Sequence, residues 1–432
     1  MKTVICYLLA FHFFILATAQ DKQQTVYTID IDNFWKAYDS ARKAKDTLQQ
    51  QQIIQKLYID KGTRGLKAFM AARDYTAAGW VRLINRYPKF WNSIRANTLA
   101  VKQHKKEIQN SIEKLEELYP SLKPASMYFT IGALRSGGTI TEDMVLVGAE
   151  IATGTSSTVV SEFNDPWLKD VFSLQKPGNI VPLNLHEYVH TQQIGEAENL
   201  IGQSIREGAC DFITELVMGK PLVTPYLEYG RKNEAALKKQ FMEDMFTTAY
   251  IRWMYNGANA GTVADLGYFM GYAICKSFYN RMEDKKKAVA EIIELNYDDT
   301  AAVEDFLKRS GYYEGGVNKQ QLVLAFQQKR PVVLSLEPFK NGDQAVDPGV
   351  REITIRFSAP MNMQNYSISF GERGKEYSPI VGVAGYTVDG TGFRLKIDLE
   401  PKHEYEFVIT DRSFQSADGY PLMPSTVRFR TR

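Results

Sequence analysis

The stretch NLHEYVHTQQ, residues 184–193, sets two of the chain's five histidines, His186 and His190, four positions apart, with Glu187 directly after the first. That spacing constrains the backbone, because a helix of 3.6 residues per turn brings positions i and i+4 to one face. The neighbours Val181, Leu183, Leu185 and Val189 make the helix apolar and mark it for burial. Two imidazoles on a buried helix need polar partners, and a metal ion supplies them. Histidine is so scarce in this chain that chance is a poor source of the pattern.

Two imidazoles are half of a catalytic zinc site, which takes a third protein ligand and leaves the fourth position to a water whose pKa falls to about 7. Glu187, about 100° around the helix from His186, can accept the proton of that water as it attacks a carbonyl and return it to the leaving amine. His104 in the lysine-rich VKQHKKE and His403 near the C-terminus are poorly placed for the third ligand, so a carboxylate is expected. The helical stretch SIREGACDFITELVMG offers Glu207, seventeen residues after His190, and Asp211 four further on the same face. Without a metal, both would belong to the solvated face of a helix buried through Ile205, Phe212 and Leu216. Glu196 has the spacing of the longer H-E-x-x-H-x-x-G-x-x-H motif, but Gln193 stands where that motif needs glycine.

Around this helix the chain is organised in blocks. MKTVICYLLAFHFFILATAQ reads as a secretory leader over residues 1–19, since its apolar run is too short to span a bilayer and ends in Ala-Thr-Ala. Export to the periplasm or the extracellular space is therefore expected, with no membrane span after the leader is removed. Residues 20–120 read as a helical lobe with Trp35, Trp80 and Trp91 in its core and Ile108, Ile112, Leu115 and Tyr119 on one stripe. Residues 121–330 begin with strands around Gly137-Gly138, among them TIGALRSGGTIT, which could pair with an extended peptide, and then return to helices. From residue 331 to 432 apolar residues alternate, as in Ile353, Ile355, Phe357 and Tyr405, Phe407, Ile409, with turns at Asp389-Gly390 and Asp418-Gly419, which reads as a β-sandwich. The fold class is thus α+β: a mostly helical core with a small sheet, plus a C-terminal all-β sandwich.

The 52 basic and 50 acidic side chains are interspersed, which gives no nucleic-acid footprint. Cys6 leaves with the leader, so Cys210 and Cys275 are either one disulfide or two buried thiols. Hydrolysis also needs a donor for a developing oxyanion, and DLGYFMGYAICKSFY offers Tyr268 and Tyr272 beside Gly267 and Gly271, on a helix side smooth enough for close packing. Core packing is the alternative role for both tyrosines.

An H-E-x-x-H helix followed by a helix carrying Glu-Gly, with an acid four residues after the glutamate, is similar to the glutamate-zincin metallopeptidases, the clan of thermolysin and the aminopeptidases. DIDNFWKAYD, HEYVHTQQ, REGACDFITELVMG and GYFMGYAICKSFY together, over residues 28–310, resemble a family of predicted zinc-dependent proteases related to a bacterial gliding-motility lipoprotein. VREITIRFSAPMN and the strands after it resemble bacterial Ig-like domains, which implies spacing or docking to a cell-surface partner. The resemblance implies His186, His190 and Glu207 as ligands of Zn2+, Glu187 as general base, Asp211 as the acceptor that orients a ligand histidine, and a peptide or protein as substrate. A non-catalytic envelope protein that keeps the zincin fold for binding or scaffolding is the rival expectation.

Overall fold

The computed structural model describes residues 25–174, 179–257 and 262–432, and the leader expected at 1–19 lies outside them. The chain is mixed α+β and separates into two compact units, Met1–Lys105 with Pro124–Gln175, and Lys106–Lys123 with Lys176–Arg432.

In the first unit β1 (Val26–Tyr27) leads into α1 (Ile29–Ala41), α2 (Thr47–Ile54), α3 (Arg64–Arg73), α4 (Ala77–Arg86) and α5 (Pro88–Leu118), the last continuing into the second unit. There follow β2 (Ser126–Thr130), β3 (Gly138–Thr141), β4 (Met144–Gly148), α6 (Ala149–Ala152) and α7 (Pro166–Leu174). The sheet order is β1-β2-β4-β3, with β2 parallel to β1 and β4, and β3 antiparallel at the edge. β4 is buried along its whole length, which explains its uninterrupted apolar run MVLVG. Trp35, Trp80 and Trp91 are buried together with Phe34 and Tyr58, as core packing requires. β1 goes unseen in the helical reading of residues 20–120, because two residues carry no periodicity.

In the second unit α8 (Ile180–His190), α9 (Leu200–Met218), α10 (Pro225–Asp244), α11 (Leu266–Arg281), α12 (Lys285–Ile293), α13 (Thr300–Ser310) and α14 (Lys319–Lys329) precede the C-terminal strands. The stripe Ile108, Ile112, Leu115 and Tyr119 is buried, and the Tyr119 hydroxyl donates to Glu294 at 2.7 Å. α9 is the axis of this unit and is buried almost all round. It meets α11 main chain to main chain: a Cβ on Gly271 would stand 1.6 Å from the Ser204 carbonyl oxygen, and one on Gly208 would stand 2.0 Å from the Tyr272 nitrogen. The smooth side expected from Gly267 and Gly271 is therefore where the helices touch. Gly271→Ala should overpack this contact and cost about 1–3 kcal/mol or more. A urea midpoint equal to that of the parent would refute the contact.

The C-terminal strands are β5 (Val333–Glu337), β6 (Glu352–Phe357), β7 (Ile368–Phe370), β8 (Ile380–Tyr386), β9 (Gly392–Ile397), β10 (Glu404–Ile409) and β11 (Ser425–Arg430). They form two antiparallel sheets, ordered β5-β6-β9-β8 and β11-β10-β7. Ile353 faces Leu395 across one sheet and Phe407 faces Val427 across the other, and all four enter one apolar core. The apolar positions read from the sequence are buried, and the alternation is broken at Glu406, which is buried between Tyr405 and Phe407 and bonded to Arg428. No helix among the described residues is long and apolar enough to cross a membrane.

Candidate metal centre

α8 supplies the two histidines. Pro182 sits in its first turn, where a missing N–H costs nothing, and His190 is its last residue. Val181, Leu185 and Val189 are buried, whereas Leu183, grouped with them in the sequence, points outward and is 43% exposed. After His190 the chain turns through Gly195, whose φ of +79° is left-handed, and enters α9 behind Asn199, whose side chain accepts the Gly202 N–H at 3.0 Å. Gly202 thus already belongs to α9, and the turning is done by Gly195.

This turn brings three donor atoms together. His186 Nε2 lies 3.2 Å from His190 Nε2, and Glu207 Oε2 lies 3.1 Å from His190 Nε2 and 3.4 Å from His186 Nε2. Zinc bonds of 2.0–2.1 Å to nitrogen and oxygen place neighbouring tetrahedral ligands roughly 3.3–3.4 Å apart, so the triangle has the dimensions of one face of such a site. The far ring nitrogens are held as well: His186 Nδ1 lies 2.8 Å from Asp211 Oδ1, and His190 Nδ1 lies 2.7 Å from Gln193 Oε1. With both acceptors taking an Nδ1–H, release of any Nε2 proton would leave each Nε2 a lone pair aimed at the shared point. Gln193 is fixed in turn by donating to the Arg206 carbonyl at 2.8 Å.

Glu207 and Asp211 are buried, 7% and 3% exposed, so they do not form a solvated helix face. Burial works against the charge of Glu207, yet hydrogen bonds from the two histidines hold its carboxyl far below the usual range. Burial likewise opposes the charged form of His186, but Asp211 and then Glu207 hold its pKa well above the ordinary value. Both directions put positive charge on the imidazole side and negative charge on the carboxylates. Glu187 is half-buried one residue after His186, and Glu196 is exposed on the loop, with its N–H donating to Asp298.

A second donor set overlaps the first. His186, His190 and Cys210 have ligand atoms within 4.8 Å of one another. Cys210 Sγ, however, meets His190 at Nδ1, 3.3 Å away, the nitrogen that faces Gln193 rather than the triangle. Burial, and then the charges of Glu207 and Asp211, push the Cys210 thiol well up. A His190 ring bound through Nε2 leaves Cys210 behind it, so the Glu207 set is the consistent one. Cys210 and Cys275 are both free and buried.

The two sequence candidates for an oxyanion donor part company. The Tyr268 ring lies against His186, with centroids 6.3 Å apart and planes inclined by 22°. The Tyr272 hydroxyl instead donates to Glu215 Oε1 at 2.5 Å and accepts from Lys276 Nζ at 2.9 Å, a network apart from the histidines. Sequence reasoning misses Tyr255 and Tyr226, which flank Tyr268 with ring centroids 6.5 and 5.4 Å away. Gln203 Nε2 bridges Tyr255 Oη, at 2.6 Å, to Glu207 Oε1, at 3.1 Å. Burial, then the Glu207 charge, pushes Tyr255 up to about 12 and Tyr268 well above its ordinary value, so both hydroxyls stay protonated near neutrality. No local pattern marks Tyr255, since a loop delivers it.

No family model and no curated protein matches this chain. Solved structures of the bacterial surface-layer protein SbsC overlay it loosely. Its domains 1–6 match at 12% identity over 93% of this chain and 41% of that one, with a TM-score of 0.19. A second SbsC structure, rSbsC(31-844), matches at 13% identity over 94% and 45%, with a TM-score of 0.18. The N-terminal part of SbsC matches at 13% identity over 93% and 71%, with a TM-score of 0.17. The chain thus spans less than half the length of the first two, and likeness at such scores carries neither fold nor function.

Proposed function

We propose that this chain is an exported zinc metallopeptidase of the glutamate-zincin type, with a C-terminal Ig-like domain. The observation that carries the reading is the triangle of His186 Nε2, His190 Nε2 and Glu207 Oε2, locked from behind by Asp211 and Gln193, with Glu187 alongside. His186, His190 and Glu207 would hold the ion. When bound, zinc supplies Lewis acidity and a water acidic enough to lose its proton near neutral pH.

The protein's own groups do the rest. Glu187 takes the proton of the attacking water and hands it to the amine as the C–N bond breaks, so hydroxide ends on the carbonyl carbon and the proton on the leaving nitrogen. Asp211 and Gln193 keep the imidazoles in one tautomer and orientation. Tyr268, whose ring lies against His186 and whose hydroxyl stays protonated, is the candidate donor for the developing oxyanion.

The test is zinc content of the purified protein together with cleavage of a peptide library. One zinc per chain and chelator-sensitive cleavage are expected. Zinc without any cleavage would favour the binding or scaffold role, and absence of zinc would sink the metal centre and the peptidase with it.

A further inference from the structure

The last residue of α10, Asp244, is 1% exposed, and its Oδ2 accepts from Arg252 Nε and from the Trp253 indole N–H, each at 2.8 Å. Arg252 is also held by the C-terminal β-domain. Its guanidinium lies over the Tyr420 ring, 4.2 Å from the centroid, and donates to the Asp418 carbonyl. Gly419, left-handed at φ +83°, presses so closely that a Cβ would come within 2.9 Å of Arg252 Cγ. Phe326 packs on the same Tyr420 ring, with centroids 5.5 Å apart.

From Arg252 the chain runs straight to the metal centre. The Trp253 carbonyl accepts the Gly267 N–H at 2.8 Å, and the fully buried Met254 fills the space a Cβ on Gly267 would need. Tyr255 follows in a left-handed conformation, φ +57°, fixed by its N–H on Asp265 Oδ1 at 2.7 Å. The residue is 57% exposed, and its hydroxyl meets Gln203, the partner of Glu207.

We infer that the C-terminal β-domain is part of the catalytic apparatus. Its Asp418–Tyr420 turn clamps Arg252, and the four-residue strap 252–255 carries that clamp to the Tyr255 hydroxyl at the rim of the metal centre. Arg252 and Tyr420 are positioning residues for Tyr255. The consequence for rate rests on the peptidase reading, whereas the clamp itself does not.

The full-length zinc-loaded protein tests this with Tyr420→Ala and Tyr420→Phe, because Arg252 variants would also strand the buried Asp244. Hydrogen exchange over residues 250–257 should quicken roughly 2- to 30-fold in Tyr420→Ala, the factor that loss of a cation–π contact allows, and return to the parent rate in Tyr420→Phe. Zinc stays bound in both. Peptide hydrolysis should lose kcat in Tyr420→Ala by the same factor as in Tyr255→Phe, and the double variant should lose no more than either single one. Unchanged exchange in Tyr420→Ala overturns the clamp, as does a loss that Tyr420→Phe fails to restore. Additive losses in the double variant overturn the positioning of Tyr255. If the parent cleaves no peptide, the peptidase reading falls while exchange still decides the clamp.

Discussion

Glu207→Ala should lose zinc affinity by more than about 100-fold, because it removes a ligand, whereas Asp211→Asn should lose only about 10- to 100-fold, the range for partners that orient a ligand from behind. Cys210→Ser and Glu196→Ala should bind zinc as the parent does, the first because Sγ faces His190 Nδ1 and the second because the carboxylate is exposed on its loop. Competition with a chelating indicator reads all four. If Cys210→Ser strips the metal while Glu207→Ala retains it, the His190 ring is turned over and the centre is formed by two histidines and a thiolate.

Glu187→Gln should keep its full complement of zinc and lose peptide hydrolysis by about 10²–10⁴-fold, the usual contribution of a general acid-base group. The substitution is nearly isosteric and touches neither ring, so a parallel loss of zinc is not expected. Residual hydrolysis within about tenfold of the parent would show that another group moves the proton.

The centre was legible in the sequence to different depths. The facing of His186 and His190 follows from helical periodicity alone, and the burial of their helix from its apolar neighbours, Leu183 excepted. Glu207 and Asp211 were legible through the need of two imidazoles for a carboxylate ligand and through a resemblance, because periodicity alone would put them on a solvated face; α9 has no such face, being enclosed on nearly all sides. Gln193 stands where the longer motif needs glycine, yet it orients His190. Tyr268 and Tyr272 are alike in sequence, and only the neighbours of each hydroxyl separate them. Tyr255 reaches the centre through tertiary placement, which no spacing rule records, whereas Cys210 follows Glu207 by three residues on α9. In the C-terminal domain alternation made the buried apolar positions readable but not the buried Glu406, while the pairing order β5-β6-β9-β8 depends on long-range contacts invisible to a local pattern.

The contact of Gly208 and Gly271 with the opposing main chain bears on how the ion would be taken up. A helix held by its own backbone cannot roll, and a roll of one residue, about 100°, would swing both acids of α9 away from the imidazoles. The donors are therefore ordered when the chain folds, before any ion arrives. Sites that assemble around their metal couple its capture to folding and bury apolar surface as they close. Here capture would be rigid, and its expected calorimetric signature is a heat-capacity change near zero with the entropy dominated by released water.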